Sequence, residues 1–410
     1  MSNPTNTQPF YNSTIPSDWE VKRLGECCLI KGEYGINAAA VEYSEQLPTY
    51  IRITDIDDDG NYSAIKKASV DDENSSNFIL AKGDIVFART GATVGKAYLY
   101  NESDGKLVFA GFLIRFRPNE NILLTEHLKN FTSTKPYWDW VKTISMRSGQ
   151  PGINAEEYGS LKIPLPPLPE QVAIAHILGL VDTAINKNNL LLEKKMLQKK
   201  WLMQNLLTGK KRLKGFSGKW KNLHIHEIAK EVSIKNKEDK QLTVLSCTKY
   251  DGLVPSLEYF GRKIFADDVS TYKIVPKNHF AYATNHIEEG SIGYQQKLDE
   301  ALISPMYTVF KTNSSINDSF FYKLLKSHRL IYQYNERMEG SIDRRGGLRW
   351  DAFSIIKVGI PPIEEQNAIS SVIEFADKEI ELLKTKTEKL KAQKKGLMQQ
   401  LLTGKIRVKI

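Results

Sequence analysis

The stretch Pro166-Pro167-Leu168-Pro169-Glu170-Gln171 returns later in the chain as Pro361-Pro362-Ile363-Glu364-Glu365-Gln366. A second stretch, Leu206-Leu207-Thr208-Gly209-Lys210, returns as Leu401-Leu402-Thr403-Gly404-Lys405. Both pairs are 195 residues apart, since 361 minus 166 and 401 minus 206 agree, and about 22 of the 47 positions from 166 to 212 are identical at this offset. A repeat of this length indicates a duplicated structural unit. We therefore interpret the chain as two halves, each a variable module followed by a shared segment.

Each shared segment predicts one long helix. Prolines make the approaches 163–169 and 358–362 extended, and apolar residues then recur at alternating steps of four and three. Thr-Gly ends each stripe, with Gly209 or Gly404 suited to the C-cap. About 38 residues at a rise of 1.5 Å give a helix of roughly 55–60 Å. The stripe consists of Ile174, Leu178, Val181, Ile185, Leu192, Leu202 and Leu206 in the first copy, and of Ile369, Ile373, Ala376, Ile380, Leu383, Leu390, Leu397 and Leu401 in the second.

A heptad stripe of this length requires a helical partner along it. Because the two stripes have equal length and equal register, we predict that they pair within the chain as an antiparallel coiled coil. This arrangement would hold the variable modules at opposite ends and relate them by a pseudo-twofold axis. The alternatives are a seam between two copies of the chain, or two unrelated surface helices.

The variable modules have the alternating patterns of an α+β fold. Strand patterns occur at 50–53, 85–88 and 113–116 in the first module, and at 242–245, 279–282 and 307–310 in the second. Helical patterns follow near 123–134 and 318–337. The predicted fold class is α+β, with two such modules separated by the two long helices. The predicted divisions are an N-terminal tail 1–16, a first module 17–162, a first helical spacer 163–213, a second module 214–357 and a second helical spacer 358–410.

Two loops in each module carry side chains suited to DNA. Glycine lets a backbone approach a ligand, and Arg, Thr, Asn, Gln and Lys donate hydrogen bonds to base edges and phosphates. The predicted contacts of the first module are Arg89, Thr90, Gly91, Thr93 and Lys96 from one loop, and Arg147, Gln150 and Asn154 from the other. Those of the second module are Thr284, Asn285 and Ser291, and Arg344 and Arg345. The alternative for any one loop is a glycine-rich turn without a ligand.

The composition of the 410 residues, 41% hydrophobic and 26% charged, is that of a soluble protein of two or three domains. No apolar run reaches the roughly 18 residues of a membrane span, and the N-terminus lacks the layout of a secretory signal, so we expect a cytoplasmic protein. The three cysteines fit neither a disulfide framework nor a zinc site. The net charge of +9 permits a polyanionic partner, but 169–213 and 364–410 carry +5 and +3 of it, which leaves the modules nearly neutral.

The sequence contains no recognisable catalytic apparatus. The run Gly91-Ala92-Thr93-Val94-Gly95-Lys96-Ala97 differs from a phosphate-binding loop, because three residues separate its glycines and Ala97 stands where Ser or Thr would hold Mg²⁺. The Asn/Asp-Pro-Pro-aromatic motif of amino-methyltransferases and a glycine-rich dinucleotide motif are also missing from the sequence. We therefore predict a chain that is not an enzyme and that holds no metal or cofactor of its own.

Over almost its whole length the chain resembles the specificity subunits of type I restriction–modification enzymes. The resemblance rests on the motif 166–171 with its helix to Gly209, and on the repeat of both at 361–404. It also rests on Gly83-Asp84-Ile85-Val86-Phe87-Ala88-Arg89-Thr90-Gly91, which is typical of the target recognition domains of that family. The second module departs from this motif, with His279 for Asp84 and Thr284 for Arg89.

The resemblance implies two target recognition domains that each read a half-site in the major groove of double-stranded DNA, with paired helices that set the half-site spacing. The target would be bipartite and asymmetric, because unlike modules sit on a symmetric scaffold. Two methyltransferase subunits would carry S-adenosylmethionine for adenine-N6 methylation, and motor–nuclease subunits would use ATP and Mg²⁺ for restriction. A non-enzymatic, bivalent protein-binding adaptor with a coiled-coil spacer is the competing hypothesis, and the nearly neutral modules favour it.

Overall fold

The structure, a computed structural model of the chain, describes residues 6–146, 151–238, 240–339 and 347–408. It divides into two compact units. Unit 1 comprises Met1–Asn189 and Thr385–Ile410, and unit 2 comprises Leu190–Lys384. The division falls within both long helices, so each unit contains one variable module together with part of each helix.

Unit 1 contains short strands and short helices ahead of the first long helix. The strands are β1 (Thr7–Phe10), β2 (Ser13–Pro16), β3 (Glu20–Arg23), β4 (Cys28–Tyr34), β5 (Ala40–Glu42), β6 (Thr49–Ile51), β7 (Ala68–Val70), β8 (Ile85–Ala88), β9 (Ala97–Leu99), β10 (Leu107–Phe109), β11 (Leu113–Pro118) and β12 (Lys162–Leu165). The helices are α1 (Thr125–Phe131), α2 (Lys135–Ser145), α3 (Ala155–Gly159) and α4 (Leu168–Leu206). Two sheets have the orders β4-β11-β8-β9 and β10-β6-β7-β5. All four residues of β8 are buried, as expected of an apolar strand covered on both faces.

Unit 2 also consists of short strands and short helices, and it ends within the second long helix. The strands are β13 (Lys221–His224), β14 (Ala229–Glu231), β15 (Ile234–Lys235), β16 (Leu245–Thr248), β17 (Gly252–Pro255), β18 (Lys273–Pro276), β19 (His279–Ala283), β20 (Ile292–Gln295), β21 (Glu300–Ile303), β22 (Tyr307–Thr312) and β23 (Lys357–Ile360). The helices are α5 (Ile225–Ile228), α6 (Ser256–Phe260), α7 (Asp318–Leu325), α8 (His328–Glu339), α9 (Trp350–Ser354) and α10 (Ile363–Leu401). The two larger sheets have the orders β14-β22-β19-β20 and β15-β18-β21.

The first-named sheets of the two units have matching connectivity. Strand β8 lies between β11 and β9 in unit 1, and β19 lies between β22 and β20 in unit 2, with all four pairings antiparallel. Strands β12 and β23, which lead into the long helices, each pair with a strand near the start of their own module. The repeat inferred from the sequence is therefore a structural repeat.

In unit 1 the first part of α4 packs antiparallel against the last part of α10. Asp182 forms an ion pair with Lys394 at 2.6 Å, and one turn and a half farther along α4 the Asn188 amide donates to Thr387 Oγ1 at 2.7 Å. Residue numbers rise along α4 as they fall along α10, which defines the direction of pairing. The buried Asn188–Thr387 contact places a polar layer within the apolar seam.

In unit 2 the remaining parts of the two helices pair in the same direction. Lys195 forms an ion pair with Glu379 at 2.9 Å, and Lys199 pairs with Asp377. The predicted antiparallel coiled coil within the chain is therefore confirmed. Of the predicted stripe, the buried positions are Ile174, Leu178, Ile185, Leu206, Ile369, Ile373, Ala376, Ile380 and Leu401, and the half-buried ones are Val181, Leu192, Leu202, Leu383, Leu390 and Leu397.

The repeated Glu-Gln of the motif joins each long helix to its own unit. Glu170 binds Arg407 through two hydrogen bonds of 2.7 Å, and Glu365 binds Arg212 in the same manner. Both carboxylates are buried. The buried Gln171 side chain accepts from the backbone N–H of the residue before α1 and donates to two carbonyls, and Gln366 makes the equivalent three bonds in unit 2. Buried polar groups are thus satisfied at both helix starts.

Some element boundaries differ from the sequence-based prediction. Helix α4 begins at Leu168 and so includes Pro169, because proline is tolerated in the first helical turn, where its missing N–H has no partner to lose. The strand predicted at 242–245 lies three residues later, at Leu245–Thr248. Its polar residues interrupt the apolar alternation from which strands are recognised.

The segment 1–16, predicted as a tail, contributes a hairpin to unit 1. Strands β1 and β2 pair antiparallel from Thr7 and Pro16 to Phe10 and Ser13. Phe10 and Ile15 are buried in the core of unit 1. The described part of this segment is therefore part of the fold. The sequence did not predict this, because Phe10 and Ile15 stand isolated in a largely polar stretch.

Helix α4 is long and apolar enough, by length and composition alone, to cross a membrane, with a mean hydropathy of 1.2 over one window. A single helix of this kind is weak support for a membrane span, because the apolar face of a packed helix passes the same test. One face of α4 packs against α10. Its other face exposes Leu180, Leu190 and Leu197.

Candidate nucleic-acid interface

The loop 89–96 follows β8 and is fixed in place by two buried tyrosines. Tyr158 Oη accepts from the Gly95 N–H at 3.2 Å and donates to the Ala88 carbonyl at 2.8 Å. Tyr137 Oη donates to the Gly95 carbonyl at 2.6 Å. Burial raises the pKa of both phenols, so both remain protonated donors. Gly95 has a φ of +89°, and a Cβ there would lie 2.7 Å from a side chain of α2, so the turn requires glycine.

The second predicted loop of unit 1 joins the first through backbone hydrogen bonds. The Ile153 N–H donates to the Arg89 carbonyl at 2.8 Å, and the Gly91 N–H donates to the Pro151 carbonyl at 3.2 Å. The described end of the second loop therefore lies beside the first, and the two form one surface.

Unit 2 brings its two loops together in the same way. The Leu348 N–H donates to the Thr284 carbonyl at 2.8 Å. These two residues lie 195 positions after Ile153 and Arg89, so the hydrogen bond is repeated at the offset of the sequence repeat. At Gly347, with a φ of +61°, a Cβ would lie 2.5 Å from the Thr284 carbonyl oxygen. The role of Gly347 is therefore to let the two loops meet.

The Arg89 side chain, a predicted DNA contact, is held in place by an aromatic ring. Its guanidinium stacks over the Tyr34 ring, 4.9 Å from the ring centre, and it donates no side-chain hydrogen bond to the residues described in this structure. The hydroxyl of Tyr34 accepts from the Ala155 N–H at 3.1 Å, which fixes the ring. Stacking holds a guanidinium in one plane and leaves the N–H groups at its edge available for a base or a phosphate.

Lys96 and Thr93 make contacts within unit 1. Lys96 Nζ lies 2.7 Å from Asp58 and donates to the Ile56 carbonyl at 3.3 Å, while Thr93 Oγ1 donates to the Thr90 carbonyl at 3.4 Å. The Lys96 ammonium holds the pKa of the Asp58 carboxyl below its usual range. Because Asp58 is fully exposed to solvent, this ion pair contributes little stability, and a phosphate can compete for Lys96.

Three predicted contacts have other roles in the structure. The Asn154 side chain accepts from the Glu157 N–H at 2.8 Å and caps α3. Thr284 is 6% exposed and its hydroxyl donates to the Met306 carbonyl at 3.0 Å, and Ser291 is 5% exposed. The burial of Thr284 and Ser291 conflicts with their prediction as side-chain contacts to DNA. Loop hydroxyls are ambiguous in a sequence, because they serve loop packing as readily as ligand binding.

Four predicted contacts, Arg147, Gln150, Arg344 and Arg345, lie outside the described residues. They stay predictions. Thr90 and Gly91 are half-buried at the start of the first loop of unit 1, and Asn285 is exposed in the first loop of unit 2.

The first loop of unit 2 also contains an acidic group that sequence reasoning missed. The turn Ile287–Glu289 brings ligand atoms of His286, Glu288 and Glu289 within 4.8 Å of one another. Two carboxylates at this position repel phosphate. The equivalent loop of unit 1 carries Arg89 and Lys96, so the first loops of the two units differ in charge.

The motif around Asp84 has a structural role in unit 1. Asp84 is fully buried and binds Arg117 at 2.7 Å and Arg115 at 3.4 Å, both on the neighbouring strand β11. In unit 2 the position is taken by His279, whose Nδ1 lies 2.9 Å from the Lys277 carbonyl. In unit 1 the ion pairs of Asp84, the residue just before β8, therefore hold the start of β8 against β11.

Comparison with known families gives two matches along the chain. The model of the type I restriction modification DNA specificity domain matches residues 16–194 and again residues 217–392. Each match contains one variable module and most of the long helix that follows it. The two matches reproduce the repeat derived from the sequence.

Known proteins are similar over nearly the whole chain. The MjaVIII specificity subunit of a type I restriction enzyme from Methanocaldococcus jannaschii is 27% identical over 439 residues, which cover 98% of this chain and 96% of that protein. The crystal structure of an HsdS subunit from Thermoanaerobacter tengcongensis has a TM-score of 0.51 at 16% identity, covering 96% and 98%. A chain from a structural study of complex assembly in the type I R-M system has a TM-score of 0.56 at 15% identity, covering 97% and 100%. These two structures have the same fold as this chain.

Proposed function

Because the chain belongs to the type I restriction modification DNA specificity domain family, we propose that it reads a bipartite, asymmetric DNA target, with one half-site for each module. It is the specificity subunit of a type I restriction–modification system, with two recognition domains and a non-catalytic role. We assign half-site reading to residues 17–162 and 214–357, and the spacing of the half-sites to the helical segments 163–213 and 358–410.

The observation that carries this proposal is the repeated hydrogen bond between the two loops of each unit. The Arg89–Ile153 and Thr284–Leu348 bonds join loops at the same place in each module, although the loops differ in length, charge and sequence. A symmetric scaffold that presents unlike loops reads unlike half-sites, and a palindromic target requires identical ones. Arg89 is the first candidate for a direct contact, because its guanidinium is stacked and half-exposed.

We further propose that two methyltransferase subunits dock on the paired helices. Helix α4 exposes Leu190, Leu197 and Trp201, spaced by seven and by four residues, and α10 exposes Phe375 and Leu382, spaced by seven. Apolar residues at this spacing form a helical stripe that a further helix can cover. In this proposal the methyltransferases supply S-adenosylmethionine and methylate adenine N6, motor–nuclease subunits supply ATP- and Mg²⁺-dependent restriction, and the complex acts in the cytoplasm.

A mobility-shift assay with the full chain and its methyltransferase subunit tests this function. We expect the complex to shift one duplex sequence from a random pool preferentially. Arg89→Ala should weaken the binding of this duplex more than Lys106→Ala, which changes an exposed lysine of the same unit and is the control. Equal binding of all duplexes, or binding of none, would favour the bivalent adaptor, whose modules bind proteins.

A further inference from the structure

A basic groove of about 1230 Å³ lies in unit 2, between the paired helices and the start of α8. We call this surface the unit 2 groove, and its defining residues are Lys199, Lys200, Met203, Arg329, Ile380 and Lys384. Seven lysine and arginine side chains line it against two carboxylates, and apolar side chains such as Met203 and Ile380 form much of the remaining wall. A concave surface that combines positive charge with apolar area is suited to an anionic ligand that also has apolar parts.

Most of the cations of the groove are uncommitted. Lys199 is paired with Asp377. Across the described ranges of the chain, Lys200, Lys384 and Arg329 form no ion pair. Charges of one sign gathered in a concave surface attract a ligand of the opposite sign.

The start of α8 adds a second, independent sign of a missing ligand. Ser327 borders the groove and is 8% exposed, and its carbonyl accepts the first hydrogen bonds of α8. Its Oγ is buried and has no hydrogen-bond partner within the described part of the chain. The first turn of α8 also contains no acidic residue. Helix N-termini favour negative charge, so both features point to a carboxylate at this place.

Unit 1 has the equivalent surface, and there an acidic loop of the chain itself lies against part of it. Asp182 and Lys394 correspond to Asp377 and Lys199 at the 195-residue offset. The loop 57–60, with the sequence Asp-Asp-Asp-Gly, lies in the same neighbourhood, because Lys129 bonds the Gly60 carbonyl and is close enough to Asp182 and Lys394 to feel their charges.

Two contacts hold this loop in unit 1. Asp59 pairs with Lys391 of α10 at 3.8 Å, and the Gly60 carbonyl accepts from Lys129 at 2.8 Å. The start of α2 is occupied as well, because the Lys135 N–H donates to the Gln399 side chain at 3.4 Å. The hairpin of unit 2 that accepts a hydrogen bond from Lys326 of the groove is shorter, with only 249–251 between the paired residues of β16 and β17. The acidic loop of unit 1 therefore indicates the kind of ligand that fits the equivalent surface of unit 2.

We propose that the unit 2 groove binds an acidic segment of a partner protein, in one copy per chain. The single copy follows from the difference between the units, because the loop 57–60 already occupies part of the equivalent surface of unit 1. A protein segment fits better than DNA, since the apolar side chains of the groove match apolar residues beside carboxylates, whereas a phosphate backbone offers none. The inference goes beyond the reading of DNA and does not depend on which sequence is read.

A peptide with the sequence Ile53–Tyr62 is the probe, because it contains the acidic loop of unit 1. Its binding to the full chain would be measured by fluorescence anisotropy. We expect saturable binding, at least about tenfold weaker in Lys200→Glu and in Lys384→Glu, because each places a like charge against the carboxylates. Lys395→Glu is the matched control, since Lys395 is the exposed equivalent of Lys200 in unit 1 and should leave binding unchanged.

A peptide with Asn in place of Asp57, Asp58 and Asp59 should not bind. No saturable binding of the acidic peptide, or equal loss in the Lys200→Glu and Lys395→Glu variants, would overturn the proposal. Displacement of the peptide by an unrelated DNA duplex would also overturn it and reassign the groove to polyanions. None of these outcomes bears on half-site reading, so the two proposals fail separately.

Discussion

The guanidinium of Arg407 binds the carboxylate of Glu170 through two hydrogen bonds of 2.7 Å, and the indole N–H of Trp19 donates to the same carboxylate at 3.3 Å. Arg212 and Glu365 form the same arrangement in unit 2, again with a tryptophan. Each glutamate begins one long helix and each arginine follows the other. The ion pair therefore fastens the two helices at their outer ends within each unit.

Removing one arginine should destabilise its unit. In Arg407→Ala the buried Glu170 carboxylate loses its charged partner, and we expect the free energy of unfolding to fall by about 3 kcal/mol. Urea unfolding of the full chain measures the loss. Lys405→Ala, an exposed neighbour, is the control and should unfold as the unaltered chain does. Equal unfolding of both variants would show that the ion pair does not fasten the helices.

Acid should weaken unit 1 through His127. This side chain is fully buried with Nε2 3.2 Å from the Pro164 carbonyl, and burial lowers its pKa to about 4. In the unfolded chain the pKa is near 6.5, so between these values the unfolded state binds more protons and stability falls as the pH is lowered. From pH 7 to pH 5 the expected loss is about 2 kcal/mol.

The measurement is urea unfolding at both pH values in the full chain and in His127→Gln. We expect the variant to lack this part of the pH dependence, whatever its stability at pH 7. His176→Gln, which alters an exposed histidine, should keep the full dependence. An unchanged slope in His127→Gln would mean that another group causes the acid sensitivity.

Arg89 should contribute to one half-site only. We expect Arg89→Ala to cost about 1–3 kcal/mol in binding of the complete target, as for an arginine that contacts a base. Duplexes with substitutions in one half-site at a time show which half has lost its effect. A uniform loss over both half-sites would mean that Arg89 contacts phosphate, or that it supports the fold.

Exchange of the first module should change half of the target. When residues 17–160 are replaced by another recognition domain, we expect a new sequence in one half-site and the old one in the other, because each unit has its own core and its own loops. Methylation mapping with the exchanged subunit reads both halves. New sequences in both halves would contradict the modular division.

The length of the first helix should set the half-site spacing. Four residues inserted near Leu206–Lys210 add about 6 Å of helix, and we expect a changed gap with unchanged bases in both half-sites. Substitution of the same positions without insertion is the control. A changed base in either half-site would mean that the helix positions the loops and does not act as a spacer alone.

The repeat and its helices were predictable because the two copies align without a gap. Equal length and equal heptad register then favoured antiparallel pairing within the chain, and each unit of the structure has it. Asn188 and Thr387 both occupy positions of the heptad stripe, between Ile185 and Leu192 and between Leu383 and Leu390, so each was visible in the sequence as a polar interruption. That the two side chains bond to each other was not predictable, because the pattern of one helix does not say which residue of the other helix faces it. Sequence periodicity locates a packing face but does not identify the polar contacts within it.

The recognition loops were found from composition, but their roles could not be. Tyr137 and Tyr158 fix Gly95 from more than 40 residues away, and only the fold brings them together. Thr284 was predicted to face DNA, yet it is buried, because its carbonyl and hydroxyl both bind neighbouring segments. Local sequence does not reveal whether a loop side chain points outward or inward.

Methylation mapping with the full chain and its methyltransferase subunit tests the central claim most directly. Two different recognition modules on one symmetric helix pair should yield a single methylated motif. This motif should have two different half-sites, each with a methylated adenine, separated by a fixed gap. A palindromic motif, an ungapped motif or a gap of variable length would contradict the account.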